Sequence, residues 1–234
     1  MSPPSGLNDP FDCRIFENHL KYVNTPDEKE KYISDSVRNN LQYLNSMNLS
    51  VDDATELLRN RLDDTLHYQV RSEVIQSEID DKYVGIACVS EKWNSILMWS
   101  HYADNHKGYC IGLDEKSLRI GQLFGKLSRV KYSDNYPEIN PLNKTKKSYE
   151  LKYFYKCLDW EYEKEIRMMN LFVDNNKANR IIALENKYIK EVIIGLQTPK
   201  KDRIEITSIA RDKNIDVWQC IKAEFAFKVE RFKI

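Results

Sequence analysis

The chain has 234 residues and 27.7 kDa, with 36 Lys and Arg set against 36 Asp and Glu. That balance argues against a generic nucleic-acid coat or a membrane-surface protein, which ordinarily carry a basic surplus, although a local basic groove stays open. Five Cys, at positions 13, 88, 110, 157 and 220, are odd in number and form no CxxC, which fits a reduced cytosolic protein better than a disulfide scaffold.

No apolar run is long enough to span a bilayer. The opening Met-Ser-Pro-Pro-Ser-Gly lacks the basic and apolar regions of a signal peptide, so a soluble cytoplasmic protein is expected. A chain of this mass buries roughly 70% of its unfolded surface and needs no metal to fold. Residues 1–234 fit one domain, with 26–81 as a helical lobe and 82–234 as a sheet-containing core.

Residues 1–24 carry turn chemistry, with Pro3-Pro4-Ser5-Gly6 and then Asn8-Asp9-Pro10. Pro26 to Met47 is helix-compatible, with Tyr32, Ile33, Val37, Leu41 and Leu44 on one stripe. Ser50 with Asp53 resembles a capping box, and Val51 to Asp81 is predicted as a second helix. Its stripe is Leu57, Leu58, Leu62, Leu66, Val70, Val74 and Ile75. The two helices are expected to pair as a hairpin, joined by Asn48-Leu49-Ser50 and packed on one side of the sheet.

From Tyr83 onward strands dominate. Strands are predicted at 83–90, 109–113, 126–132, 161–172, 189–195, 216–221 and 226–232. Helices are predicted at 95–105 (stopping near Gly108), 144–158 and 200–212. A Pro- and Asn-rich loop fills 134–143, and a polar turn is expected at Asp174–Asn179. Without βαβ regularity, a Walker loop or a GxGxxG, the pattern reads as α+β with a mixed, mostly antiparallel sheet and an inserted N-terminal helical hairpin.

The segment richest in chemistry is Trp160-Glu161-Tyr162-Glu163-Lys164-Glu165-Ile166-Arg167. Read with period 2, Glu161, Glu163, Glu165 and Arg167 share a face. Carboxylates in register repel unless a cation, a ligand hydroxyl or Arg167 offsets them. A charged helix turn or a solvated edge strand explains the same letters. A divalent metal on Glu161–Glu165, as in a nuclease, is a further alternative.

A second constellation is Trp99-Ser100-His101-Tyr102 through His106-Lys107-Gly108. On a helix Trp99, Tyr102 and His106 share one face, offering two rings and an imidazole to a planar ligand such as a nucleobase or nicotinamide. The plain alternative makes Trp99 and Tyr102 core residues and the histidines exposed or helix-capping. Cys110 lies in an apolar strand, where thiols are usually inert.

Four ordered motifs carry a family resemblance: Leu7-Asn8-Asp9-Pro10-Phe11-Asp12-Cys13, Met98 through Gly108, Trp160 through Arg167, and Glu191-Val192-Ile193-Ile194-Gly195. Together they resemble the large bacterial family catalogued as domain of unknown function 2971. That family name implies no activity. Its members usually carry a further strand and short helix before the Asn-Asp-Pro-Phe motif, so either the start is truncated or the first strand is missing here.

More distantly, the order of elements is similar to ADP-ribosyltransferases. That resemblance implies an ADP-ribosyltransferase-like fold and transfer of ADP-ribose from NAD, with no metal. Glu163-x-Glu165 would be the Glu-x-Glu motif, and Glu165 the catalytic member with Glu163 beside it. Trp99, Tyr102, His106, Arg167 and Asn8 would bind the cofactor. It further implies a toxin or phage-defence effector acting on a protein or nucleic-acid acceptor. The competing expectation is a non-catalytic sensor or interaction module on the same fold, docking a partner protein on 26–81 and no membrane.

Overall fold

Capping chemistry sets where the helices begin. Thr25 accepts from the Glu28 amide while Glu28 reaches back to the Thr25 amide, a reciprocal box that starts a helix with Pro26 at its first position. Ser50 accepts from the Asp53 amide and Asp64 from the His67 amide.

The computed structural model, which describes residues 1–173 and 176–234, contains nine α-helices and nine strands among the described residues. The first half runs α1 (His19–Tyr22), α2 (Pro26–Asn39), α3 (Leu41–Ser46), α4 (Val51–Leu62), α5 (Thr65–Tyr83), β1 (Val84–Ser90), α6 (Ile96–Tyr102), β2 (Tyr109–Leu113) and α7 (Glu115–Ile120). There follow β3 (Lys126–Arg129), β4 (Lys131–Ser133), α8 (Lys146–Phe154), β5 (Tyr155–Cys157), β6 (Glu165–Leu171), β7 (Ile189–Ile194), α9 (Lys200–Asp212), β8 (Asp216–Lys222) and β9 (Val229–Lys233). The class is α+β with mixed sheets. Among the described residues no helix is long and apolar enough to cross a membrane.

The chain forms two compact units. A helical unit comprises Ser2–Val84 with Lys131–Cys157, and a sheet unit comprises Met1, Gly85–Val130 and Leu158–Ile234. In the helical unit, Tyr32, Ile33 and Val37 of α2 close against Ala54 and Leu62 of α4, with Val23 beneath. The region expected to hold two helices holds four, because Asn40 ends α2 and the Asp63–Asp64 break separates α4 from α5. The expected core stripe ends at Leu62. Leu66, Val70, Val74 and Ile75 are 63%, 56%, 53% and 44% exposed.

What α5 buries instead is polar. Gln69 accepts from the His19 amide and donates to the Glu17 carbonyl, and Asp80 accepts from Tyr153 and pairs with Lys152. His19 sits between Gln69 Oε1 and the Tyr32 hydroxyl, each 3.2 Å away. Because Gln69 Oε1 can only accept, Nδ1 carries the proton and Nε2 accepts from Tyr32. Burial pushes the His19 imidazole below its ordinary value, against the opposing charge of Glu17.

In the sheet unit, one sheet has the order β2-β7-β8-β9, with β7 and β8 parallel and the outer pairs antiparallel. Strand β7 is covered on both faces. Val192 and Ile194 pack with Ala210 of α9, and Ile193 packs with Trp99. That explains the apolar run Val192–Ile194. The second sheet has the order β1-β6-β3, which makes β6 its central strand.

Several boundaries differ from the sequence reading, among them the last strand, expected over 226–232, which runs Val229–Lys233. The strand expected over 126–132 is split into β3 and β4, which pair with different partners. The helix expected over 144–158 stops at Phe154 and gives way to β5, parallel to β4. Of the polar turn expected at Asp174–Asn179, residues 174 and 175 lie outside the described residues, and Lys177–Arg180 is a 3₁₀ turn.

Candidate functional site

The Trp99–Gly108 motif does not continue as a helix. Helix α6 ends at Tyr102, and Asp104, Asn105 and His106 follow with φ of 43°, 53° and 69°. Asp, Asn and His are the residue types that tolerate this left-handed region best. Gly108, near which the helix is expected to stop, has no positive φ, and Asp104, Asn105 and His106 make the turn. Backbone bonds from the His106 amide to the Trp99 carbonyl (3.1 Å) and from the Gly108 amide to the Ala103 carbonyl (2.8 Å) close it.

This turn interlocks with the end of β7. The Gln197 amide donates to the His106 carbonyl at 2.9 Å, and the Gly195 amide to the Gly108 carbonyl at 3.0 Å. A Cβ on Gly195 would lie 2.3 Å from the His106 carbonyl oxygen and 2.8 Å from that of Gly108. The last Gly of Glu-Val-Ile-Ile-Gly is therefore required by the backbone of the other motif. Thr198 Oγ1 donates to the Gly108 carbonyl and Gln219 Nε2 to that of Gly195, fixing the junction from two further sides.

Trp99 is a core side chain. It is buried against Ile193, Cys220 and Val229, its Nε1 donates to the Trp93 carbonyl at 2.7 Å, and its ring stacks on His106. His106 Nε2 lies 3.2 Å from Ser100 Oγ. Since Ser100 Oγ gives its proton to the Ile96 carbonyl, Nε2 is the donor, which leaves Nδ1 as a bare, buried acceptor. Burial and the charge of Lys222 hold His106 below its ordinary value.

The Trp160–Arg167 segment is not one strand. Residues Leu158–Glu163 form a 3₁₀ helix, Lys164 takes a φ of 44°, and only then does β6 begin. The period-2 face is therefore broken between Glu163 and Glu165. Glu161 lies off it, exposed and paired with Lys164, which lowers its carboxyl below the usual range. Trp160 is partly buried.

Glu163 and Glu165 are both buried, at 2% and 4% exposure. Glu163 Oε1 accepts from the Tyr102 hydroxyl at 2.6 Å, which joins the two motifs across 61 positions. Glu165 meets Arg167 in a two-pronged ion pair, Nε to Oε1 at 2.7 Å and Nη2 to Oε2 at 3.1 Å. Arg167 is fully buried. Beside these, His101 Nδ1 lies 3.1 Å from the Tyr162 hydroxyl. The half-exposed phenol of Tyr102 thus stands over a buried carboxylate, and the buried ion pair follows two residues later. Asn8 lies in the helical unit, at an exposed bend ahead of the turn in which Asp9 accepts from the Phe11 amide.

Sequence reasoning overlooked two features of the sheet unit. A cavity of about 460 Å³ is lined by Asp104, Lys107 and Tyr109 on one side and Asp202, Glu205 and Ile206 of α9 on the other. Nothing in the letters of α9 pointed to it beyond two acids three residues apart. Arg231 is held between the rings of Trp93 and Trp218, at 4.4 and 4.5 Å, and donates to Glu191. Among the described residues no three His, Cys, Asp or Glu side chains converge as a metal site.

Residues 98–168 match the model of a protein family of unknown function, DUF2971. This span contains both motifs that the Tyr102–Glu163 bond joins. No curated protein and no solved structure matches the chain.

Proposed function

We propose that the chain is an ADP-ribosyltransferase-like enzyme that takes NAD as substrate, with Glu163, rather than Glu165, as the carboxylate that meets the ribose. The observation that carries this reading is the 2.6 Å bond from the half-exposed Tyr102 to the buried Glu163. A phenol in that place offers a planar ring to the nicotinamide, and its rotation uncovers the carboxylate. The bond from ribose C1′ to the nicotinamide nitrogen then breaks, and its electron pair leaves with nicotinamide. Glu163 stabilises the oxocarbenium-like ribose electrostatically. A nucleophile of the acceptor forms the new bond to C1′ and gives up its proton to solvent. Glu165 acts through Arg167 as a positioning residue, holding the start of β6 directly after Glu163. A toxin or defence effector that modifies a protein or nucleic acid is the setting this chemistry fits.

The buried Glu165–Arg167 pair favours a second reading, a non-catalytic sensor or interaction module in which the Glu-x-Glu segment is structural. One experiment separates the two. Purified chain is incubated with NAD and a bacterial lysate as acceptor source, and nicotinamide release is followed by chromatography. Release that falls about 100-fold in Glu163→Gln with an unchanged melting temperature supports the enzyme. Folded wild-type protein that releases no nicotinamide supports the module.

A further inference from the structure

Helix α5 is inside out. It buries Gln69 and Asp80 and exposes Leu66, Val70, Val74, Ile75 and Ile79. At 100° per residue, the side opposite Gln69 and Asp80 is centred on Arg71 and Glu78, seven residues apart and nearly in line along the axis. Val74 and Ile75 flank that line midway, one on each side, and Val70 and Ile79 flank it further out. Arg71 and Glu78 are both exposed.

This order of residues is its own complement when reversed. We propose that α5 is the self-association face of the protein, where two copies pair antiparallel about a two-fold axis passing between residues 74 and 75. In that register Arg71 of one copy faces Glu78 of the partner subunit, and Glu78 faces the partner's Arg71. On one side of the axis Val74 meets the partner's Val74, on the other Ile75 meets the partner's Ile75, and Val70 and Ile79 lie at the rim. One patch serves both sides, as an isologous interface requires. The opposite charges fix the direction, since a parallel pair would set Arg71 against Arg71 and Glu78 against Glu78. Nineteen residues give a contact line of about 28 Å. The polar groups on the inward side of α5 hold the helix in place, so its apolar sides stay available.

The test is sedimentation equilibrium of the full chain from micromolar to near-millimolar concentration. A monomer–dimer equilibrium is expected. Arg71→Glu and Glu78→Arg should each raise the dissociation constant about tenfold, because two symmetry-related attractions become repulsions. The combined Arg71→Glu and Glu78→Arg exchange restores the complement and should return the constant to within about twofold of wild type. Val74→Asp should abolish the dimer with the circular dichroism spectrum unchanged. A monomer at every concentration overturns the proposal, as does a dimer whose constant is unmoved by Arg71→Glu. An exchange variant that is weaker than either single variant overturns it too.

Discussion

The Tyr102 hydroxyl donates to Glu163 Oε1 at 2.6 Å, from the last residue of α6 to the last residue of the 3₁₀ helix before β6. The acceptor is a buried carboxylate, so losing a donor leaves a desolvated charge less well compensated. Tyr102→Phe should therefore cost about 1–3 kcal/mol in urea unfolding. In a double-mutant cycle with Glu163→Gln the two effects should be non-additive by about 0.5 kcal/mol or more. Strict additivity would mean that the bond does not form in solution.

Gly195 tests the junction between the two motifs. Its position requires no positive φ, so only the missing side chain matters. Gly195→Ala places a methyl group against two backbone carbonyls, which cannot rotate away as a side chain could. The variant should lose at least about 1–3 kcal/mol. Its amide exchange should rise first at residue 195 and at Gln197, whose bonds cross the junction. A variant as stable as wild type would show that the 104–108 turn gives way freely.

Much of this architecture was legible because it follows periodicity. Helix α9 and strand β2 fall where the pattern placed them, and β7, which buries Val192, Ile193 and Ile194, matches to within one residue. At the candidate site the errors fall where a residue with a side chain adopts a left-handed backbone. Lys164 ends the 3₁₀ helix, and Asp104, Asn105 and His106 end α6, yet none of these interrupts hydrophobic periodicity. The candidate site suffered most, because both of its motifs contain such a residue. Helix α5 failed for a different reason. Its aliphatic residues recur at helical spacing, but the polar side is the one with partners in the helical unit.

Protonation should separate two windows of stability. Burial depresses both His19 and His106 below 6.5 in the folded state. The unfolded chain then takes up those protons first as pH falls. Their contribution is complete above 6.5, is lost as pH drops below that value, and stops falling once the folded imidazoles also protonate. Glu28, lowered by its capping bonds, contributes only to a second loss below 4.5. The urea midpoint measured from pH 8 to pH 3 should show both declines. Replacing His19 by Gln should flatten the upper one, whatever it does to stability at pH 8. An upper decline of unchanged slope would assign it elsewhere.

The Glu165–Arg167 pair decides how the Glu-x-Glu segment is to be understood. Both side chains are buried on β6, the central strand of its sheet, where water cannot replace a lost partner. Glu165→Ala or Arg167→Ala alone should cost about 3–5 kcal/mol, because each removes one member of a buried ion pair. Replacing both, as Glu165→Leu with Arg167→Met, removes the charges together and should cost much less than the sum of the single changes. That double variant also isolates function from folding. With Glu163 and Tyr102 intact and the sheet preserved, a positioning role for Glu165 predicts reduced nicotinamide release with a melting temperature near wild type. Full activity would make the pair purely structural. Unfolding of the double variant would mean that the ion pair, and not the volume of its side chains, holds β6 in register.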